Sequence, residues 1–379
     1  RHDNSKGKII IIIGENFSKI LYSSLIDLIE STNPNLSIYI LKNNTCYNHK
    51  TNVKININKQ DYDISIFLME INEIITFVFK QDIDNFSLGY KIAYLDWDLK
   101  NIPSYHNFFI ELVDEIWTTN SIAYSAIKKI SPDINLFNFP PFFKSIGIMQ
   151  NKINISNEIN SSEINLPLKE KNYVFYTEVD FKESYYRNNL KGALRSFINA
   201  FKIENKNELF ENVYFKIIIK SKEFNQNEYQ YLTDNYSLNP KIKILESCLF
   251  NELERSSFNC LVSLHRSCGF NSQILQAFDL NHSIIHTSWG GHLDYCFGNN
   301  CYPVDYSLLP ISPKNYKFWP GQVWAEPNLK EASKIMKKIV SEFNSNAKNK
   351  VNYRNSTRIK GQFFSQLTNR LKIVFKLNL

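Results

Sequence analysis

The sequence has no apolar run long enough to cross a lipid bilayer. Its longest run, Ile9–Ile13 behind Lys8, is far shorter than the roughly 20 residues that a membrane-spanning helix needs. The small-residue cleavage site of a signal peptide is also missing. We therefore expect a soluble, cytoplasmic chain, with peripheral contact to the inner face of the membrane left open.

Cysteine is scarce, and the six cysteines include no Cys-x-x-Cys pair. This pattern favours reduced thiols over a disulfide framework. Cys268, His292, Cys296 and Cys301 are close in sequence, but their spacing fits no common zinc pattern. The sequence therefore predicts no metal ion and no cofactor.

Acidic residues are absent from Lys350–Leu379, which carries seven basic residues, whereas the whole chain has a formal net charge of +7. Residues 1–349 are therefore neutral overall. A nucleic-acid-binding protein would need a basic face within its folded body. The charge distribution thus argues against nucleic acid as a partner.

The same basic segment contains an apolar stripe. Ile359, Phe363, Leu367, Leu371 and Phe375 recur every four residues, as on one face of a helix. One interpretation is a terminal helix that packs on the domains, which we favour for Val351–Phe364. The other is contact of 357–379 with an anionic membrane surface, which we favour beyond Phe364.

Short β-rich runs alternate with helical stretches on both sides of one polar segment. This order predicts parallel sheets that are covered on both faces, and the length favours two domains. Ligands of open α/β sheets bind beyond the carboxyl ends of the strands. We predict an α/β fold with an N-terminal domain at 1–145, a polar linker at 146–168, a C-terminal domain at 169–345 and a basic amphipathic helix or tail at 346–379.

One strand-to-helix connection in the second domain is suited to an anion. The β-rich run Cys260–Leu264 is followed by Gly269, which permits a tight turn, and by Asn271 and Ser272, which are good N-cap residues. The amides of the helix that follows could hold a diphosphate. An ordinary βα turn would have the same residues.

The segment Cys260–Tyr306 resembles the donor-site block of the family 4 glycosyltransferases. Three further blocks resemble that family in order and spacing: Tyr94–Asn120 with its Val-Asp-Glu-Ile-Trp, Asp180–Phe201, and Trp-Ala-Glu-Pro-Asn at Trp324–Asn328. The resemblance implies the GT-B architecture, in which two Rossmann-like domains face a cleft. It also implies an acceptor-side N-terminal domain, a donor-binding C-terminal domain, and a retaining sugar transfer from a nucleotide-sugar without a metal ion.

The resemblance also implies roles for individual residues. The basic side chains that it places near the donor diphosphate are Arg187, Lys191 and Lys220, although Lys191 and Lys220 fit a solvated surface equally well. The donor cleft would be bordered by His265, Arg266, Gly269, Phe270, Asn271 and Ser272, with a neighbouring turn at Gly290 and Gly291. Trp97 and Asp98 would face the acceptor or the transferred sugar.

The sequence departs from the family at two glutamates, which fall on Cys268 and Gln276. Gln276 can still accept a hydrogen bond from a ribose, whereas the thiol of Cys268 cannot replace a carboxylate near the transferred sugar. Two interpretations stay open. One is an active hexosyltransferase that acts on a surface glycan or glycolipid. The other is an inactive GT-B-like domain that binds glycan, nucleotide or a partner protein within a larger glycan-synthesis assembly.

Overall fold

The fold is known from a computed structural model that describes residues 7–14, 19–42, 45–55, 61–80, 88–140, 172–181, 185–201, 210–221, 226–246, 252–345 and 354–378. The chain divides into two compact units. The first contains residues 1–146 and 357–379, and the second contains residues 147–356. The predicted linker at 146–168 lies outside the described residues.

The first unit is built on an eight-stranded sheet with the order β4-β3-β2-β1-β5-β6-β7-β8. Its strands are β1 (Lys8–Ile13), β2 (Ser37–Lys42), β3 (Thr45–Asn48), β4 (Lys54–Ile55), β5 (Ile64–Leu68), β6 (Tyr90–Leu95), β7 (Glu115–Thr118) and β8 (Asn135–Asn138). Its helices are α1 (Lys19–Thr32), α2 (Ile71–Lys80), a 3-10 helix (Ser104–Leu112) and α3 (Ser121–Ile130). Among the described strands of this sheet, β2 pairs with β3 and β3 with β4 in antiparallel orientation at one edge.

The central strand β1 explains why this sheet has two covered faces. Ile9, Ile10, Ile11 and Ile12 are each at most 1% exposed, although successive side chains of a strand point to opposite faces. A strand that is apolar on both sides needs cover on both sides, as in doubly wound α/β folds. The predicted α/β class is therefore confirmed.

The second unit has a six-stranded parallel sheet with the order β11-β10-β9-β12-β13-β14. Its strands are β9 (Tyr173–Asp180), β10 (Val213–Ser221), β11 (Ile242–Glu246), β12 (Cys260–Ser263), β13 (Ser283–Thr287) and β14 (Cys301–Val304), followed by the hairpin β15 (Tyr306–Pro310) and β16 (Val323–Pro327). Its helices are α4 (Tyr185–Asn188), α5 (Leu190–Ala200), α6 (Gln226–Tyr236), α7 (Glu252–Ser256), α8 (Ser272–Asp279), a 3-10 helix (Gly291–Asp294) and α9 (Leu329–Asn344).

The basic C-terminal segment forms helix α10 (Arg354–Asn378). Leu367, Leu371 and Phe375 are 2%, 0% and 7% exposed, because they pack into the hydrophobic core of the first unit. The prediction that the stripe contacts a membrane beyond Phe364 is therefore wrong for these three side chains. Among the described helices, none combines the length and apolarity needed to span a membrane.

A buried ion pair anchors α10 to the first unit. The side chain of Glu115 on β7 is fully buried, and Arg370 donates from Nε to Oε1 at 2.9 Å and from Nη2 to Oε2 at 2.5 Å. Tyr90 and Trp117 donate further hydrogen bonds to the same carboxylate at 2.9 and 2.5 Å. Burial and the neighbouring Glu115 raise the pKa of Tyr90 to about 12.

We expect Arg370→Ala to lower the free energy of unfolding of the first unit by about 3 kcal/mol, because it leaves the Glu115 carboxylate buried without its cation. Chemical denaturation followed by circular dichroism measures this loss. The double variant Arg370→Met with Glu115→Gln should lose less, since no charge remains buried. Lys372→Ala, at an exposed position of the same helix, is the control. Equal losses in the single and double variants would contradict this account.

Candidate functional site

The connection between β12 and α8 is held by the side chain of Asn271. Its Oδ1 accepts hydrogen bonds from the backbone N–H groups of Gln273 and Ile274 at 3.0 and 3.2 Å, so the N-cap predicted at Asn271 is present. The phenol of Tyr295 accepts from the Asn271 N–H and donates to its carbonyl, and its ring lies 5.6 Å from that of Phe270. Two of the helix amides that could bind a diphosphate are thus taken by Asn271.

His265 is fixed by both ring nitrogens at the exit of β12. Nε2 lies 3.1 Å from the Trp289 carbonyl, which only accepts, so Nε2 carries the proton. Nδ1 then accepts from the hydroxyl of Ser263 at 3.0 Å, and Asn271 donates to that hydroxyl at 3.3 Å. These bonds fix the orientation of the His265 ring beside the loop.

Cys268 lies where the loop meets the Gly290–Gly291 turn. The Gly291 N–H donates to the Cys268 carbonyl at 2.7 Å, and the Cys268 side chain is buried. Gly290 has φ +137°, and a Cβ there would lie 2.7 Å from His292 Nδ1 and 3.1 Å from the Cys268 carbonyl oxygen. Glycine at 290 is therefore what lets the turn approach this loop.

Arg266 joins three elements at the same end of the sheet. It donates from Nε and Nη2 to the carboxylate of Glu326 on β16 at 2.5 and 3.1 Å. Its Nη1 donates to the Tyr186 carbonyl at 2.6 Å, and its backbone N–H donates to the Arg187 carbonyl at 2.8 Å. The charge of Arg266 is therefore matched by Glu326, whereas its backbone places Arg187 next to the loop.

Arg187 and Lys191 lie near the start of α5 in different surroundings. The Arg187 guanidinium is 5.9 Å from the centre of the Tyr316 ring. Lys191 Nζ lies 3.9 Å from the centre of the Tyr231 ring and 3.7 Å from Glu228 Oε2, both on α6. The charge of Lys191 is thus paired with the carboxylate of Glu228.

Asn189 connects α5 to the loop and was missed by the sequence analysis. It adopts a left-handed conformation with φ +51°, and its Nδ2 donates to the Leu264 carbonyl at the exit of β12 at 2.8 Å. A Cβ at Gly192 would lie 2.6 Å from the Asn189 carboxamide. The signal that could have identified this position is Asn189 itself, because asparagine is enriched at positive φ.

Lys220 belongs to an ionic cluster around the buried Glu178 on β9. Lys220 Nζ lies 2.9 Å from Glu178 Oε2, and Arg255 on α7 pairs with Oε1. Arg255 also donates to Gln276 Oε1 at 3.0 Å, and Gln273 donates to the Glu178 carbonyl at 3.3 Å. Lys220, Glu178, Arg255 and Gln276 are called the Glu178 cluster below.

The Glu178 cluster contains two cations and one carboxylate. The side chains of Glu178 and Arg255 are 0% and 9% exposed, whereas that of Lys220 is 36% exposed. The position where the family has a second glutamate holds the neutral Gln276, so these four side chains include two cations but only one carboxylate. Such a cluster at the carboxyl ends of parallel strands is suited to binding an anion. Sequence analysis missed Glu178 and Arg255.

Trp97 and Asp98 follow β6 in the first unit, and both are buried. Trp97 Nε1 donates to the Asn101 carbonyl at 3.1 Å, and the Asn120 side chain donates to the Trp97 carbonyl at 3.2 Å. These two predicted acceptor-side residues are thus part of a hydrogen-bonded loop at the carboxyl edge of the first sheet.

Histidines and cysteines converge around β13. Two groups have their ligand-type atoms within 4.8 Å of one another: His265 with Cys268 and His292, and His286 with Cys296 and Cys301. Burial lowers the pKa of His286 and of His292, and the neighbouring His265 and His286 lower that of His292 further. Both imidazoles are therefore neutral at neutral pH and keep a nitrogen lone pair.

No protein-family model and no curated protein sequence matches this chain. A glycosyltransferase from Rickettsia africae ESF-5 matches its fold at 11% identity and TM-score 0.60, covering 98% of this chain and 99% of that chain. Anabaena Alr3699/HepE in complex with UDP and glucose matches at 10% and 0.57, covering 98% and 99%. The pneumococcal O-GlcNAc transferase GtfA in complex with UDP and GlcNAc matches at 10% and 0.53, covering 89% and 70%. The chain has the GT-B fold that its sequence predicts, whereas membership of family 4 stays a prediction.

The histidine next to the Glu178 cluster gives a prediction for pH dependence. Burial, and then the nearby Arg255, lower the pKa of His282 from 6.5 to about 4, and Tyr176 OH lies 3.0 Å from its Nδ1. The unfolded chain therefore binds more protons between pH 4 and 6.5. We expect the free energy of unfolding to fall as the pH drops through this window. His282 should account for about 3 kcal/mol of this loss.

Unfolding by urea at several pH values, in the wild type and in His282→Gln, measures this contribution. Glutamine can accept the Tyr176 hydrogen bond but does not titrate. The variant should therefore show a weaker loss of stability between pH 6.5 and 4. The same pH dependence in both proteins would show that His282 does not cause it.

Proposed function

We propose that this chain is a glycosyltransferase that moves a hexosyl group from a nucleotide-sugar to a surface glycan or glycolipid acceptor. The observation that carries the proposal is the Glu178 cluster, whose two cations, Lys220 and Arg255, lie at the carboxyl edge of the second sheet. The GT-B fold supports it, because the matching structures include transferases in complex with UDP and a sugar. In this proposal the second unit binds the donor and the first unit binds the acceptor.

The chemistry needs few proton-transfer groups on the protein. As the glycosidic bond breaks, negative charge develops on the leaving diphosphate, and nearby cations stabilise it. Arg187 and Lys220 would supply that charge, and Gln276 would accept a hydrogen bond from the ribose. The departing diphosphate would itself take the acceptor proton. Cys268 would then lie near the transferred sugar without acting as a base, and the anomeric configuration would be retained.

A second candidate is a catalytically silent domain that binds glycan, nucleotide or a protein within a glycan-synthesis assembly. The thiol at Cys268 favours it, because a buried thiol offers the sugar no charge. So do the ion pairs of Arg266 with Glu326 and of Lys191 with Glu228, because each matches a basic site residue with a carboxylate. The two candidates differ in turnover, not in fold.

Calorimetric titration with UDP, GDP, CMP and dTDP, and then with the matching nucleotide-sugars, should reveal saturable binding of one nucleotide. We expect Arg187→Ala to weaken that binding by about 2 kcal/mol, or roughly 30-fold, since hydrogen bonds to charged groups are worth this much. Lys334→Ala, at an exposed position on α9, should leave binding unchanged.

Unchanged affinity in Arg187→Ala would remove this residue from the site. Failure of the folded wild type to bind any of the nucleotides would reject the donor proposal. Binding without release of sugar from the nucleotide-sugar, with acceptors or with water, would favour the silent domain.

Gln276→Glu restores the family's second glutamate and tests its role. We expect nucleotide affinity to rise by about 1 kcal/mol, or roughly fivefold, because a carboxylate is a stronger acceptor for a ribose hydroxyl than an amide. Calorimetry would compare the preferred nucleotide with its free base and with phosphate. A gain in affinity that appears for the nucleotide but for neither fragment would locate the effect on the nucleoside. The Gln230→Glu variant, at an exposed position of α6, controls for net charge. A loss of affinity in Gln276→Glu alone would mean that the cations of the Glu178 cluster, not the ribose contact, dominate binding.

A further inference from the structure

Three side chains with metal-ligating atoms lie close together at β13 and β14 of the second unit, outside the Glu178 cluster. His286 lies on β13, Cys296 follows the 3-10 helix Gly291–Asp294, and Cys301 begins β14. One ligand atom from each lies within 4.8 Å of the other two, and the two sulfur atoms are 3.1 Å apart. His286 and Cys296 are buried, whereas Cys301 is partly exposed.

One ring nitrogen of His286 is available for a ligand. Its Nδ1 lies 3.1 Å from the carbonyl oxygen of Thr287 and 2.9 Å from Nε2 of His292. The tautomer that donates from Nδ1 to the carbonyl, which can only accept, leaves the lone pair on Nε2. His286 is 2% exposed, and within the described part of the chain its Nε2 has no hydrogen-bond partner. A buried nitrogen that is left unsatisfied is costly, and a ligand at this place would satisfy it.

The donor set is that of a thiophilic metal ion. Zinc binds cysteine sulfur at about 2.3 Å and histidine nitrogen at about 2.0 Å with tetrahedral geometry, which places neighbouring ligand atoms about 3.3–3.8 Å apart. Two sulfur ligands would stand at the upper end of this range, so the sulfur atoms of Cys296 and Cys301, now 3.1 Å apart, would separate by about 0.7 Å. The hydrogen bond from His286 Nδ1 to a backbone carbonyl is the outer-shell contact that ligating histidines make.

We propose that His286, Cys296 and Cys301 bind one zinc-class divalent cation, with a fourth ligand from solvent. Binding releases the two thiol protons to solvent, so that two thiolates and one neutral imidazole hold the ion. The ion would join β14 to the segment that follows Gly291, whose N–H contacts the Cys268 carbonyl. It would therefore brace the turn beside the loop after β12. This proposal does not depend on glycosyl transfer.

A disulfide between Cys296 and Cys301 is the competing fate of the two sulfur atoms. It would require an oxidant and would leave His286 Nε2 without a partner, whereas a metal ion uses all three atoms. The structure therefore favours the metal.

The test uses the full chain, produced with zinc in the medium and purified with a non-thiol reductant. Elemental analysis should find about one zinc per chain, and exchange into cobalt should produce a thiolate-to-cobalt charge-transfer band. A zinc chelator should lower the melting temperature of the wild type. His286→Gln and Cys301→Ser should each weaken zinc binding in chelator competition by at least about 100-fold, because even outer-shell contacts are worth 10- to 100-fold.

Cys46→Ser, which changes a buried cysteine of the first unit, is the matched control and should keep full zinc content and the cobalt band. Circular dichroism identifies any variant that fails to fold, and the wild-type measurements then decide. The proposal is overturned if folded, reduced wild type retains no zinc and gives no cobalt–thiolate band. It is also overturned if both ligand variants bind zinc as the wild type does, or if the purified chain contains the Cys296–Cys301 disulfide.

Discussion

The carboxylate of Glu178 is the constraint on which the second unit depends. An ionised carboxylate cannot be removed from water without partners, and the side chain of Glu178 is 0% exposed. The carboxylate pairs with Lys220 from β10 and with Arg255 from α7, and Arg255 in turn donates to Gln276 from α8. Burying one charge thus fixes the positions of the elements that surround the candidate donor site, and it also brings in the cations that an anionic ligand would meet.

The first unit uses the same physical device for a different purpose. Glu115 is buried as completely as Glu178, but its cation, Arg370, comes from the last helix of the chain. There the charges balance, because one guanidinium meets one carboxylate. In the Glu178 cluster the neutral amide of Gln276 stands where the resemblance places a second carboxylate. The replacement that weakens the resemblance to family 4 therefore leaves one carboxylate beside two cations within this cluster.

The sequence predicted what depends on neighbouring residues. The β-rich runs predicted the parallel strands, and Asn271 caps α8 as its residue type predicts. Contacts between distant residues were not predictable, because no local pattern encodes them: Arg255 and Glu178 are 77 positions apart, and Arg370 and Glu115 are 255 apart. For the same reason the periodicity of α10 revealed an apolar face but not that the face is covered by its own domain.

The place of α10 in the first unit bears on the order in which the protein is made. The ribosome synthesises β1 to β8 first, then the whole second unit, and only then Leu367, Leu371 and Phe375, which complete the first hydrophobic core. Domains fold as units during synthesis, generally from the N-terminus. Here the later unit has all its strands before the earlier one has its last helix. The sheet of the first unit therefore keeps an uncovered apolar surface from the synthesis of β8 until the synthesis of α10. Chaperone binding to the nascent chain would be most useful in this period.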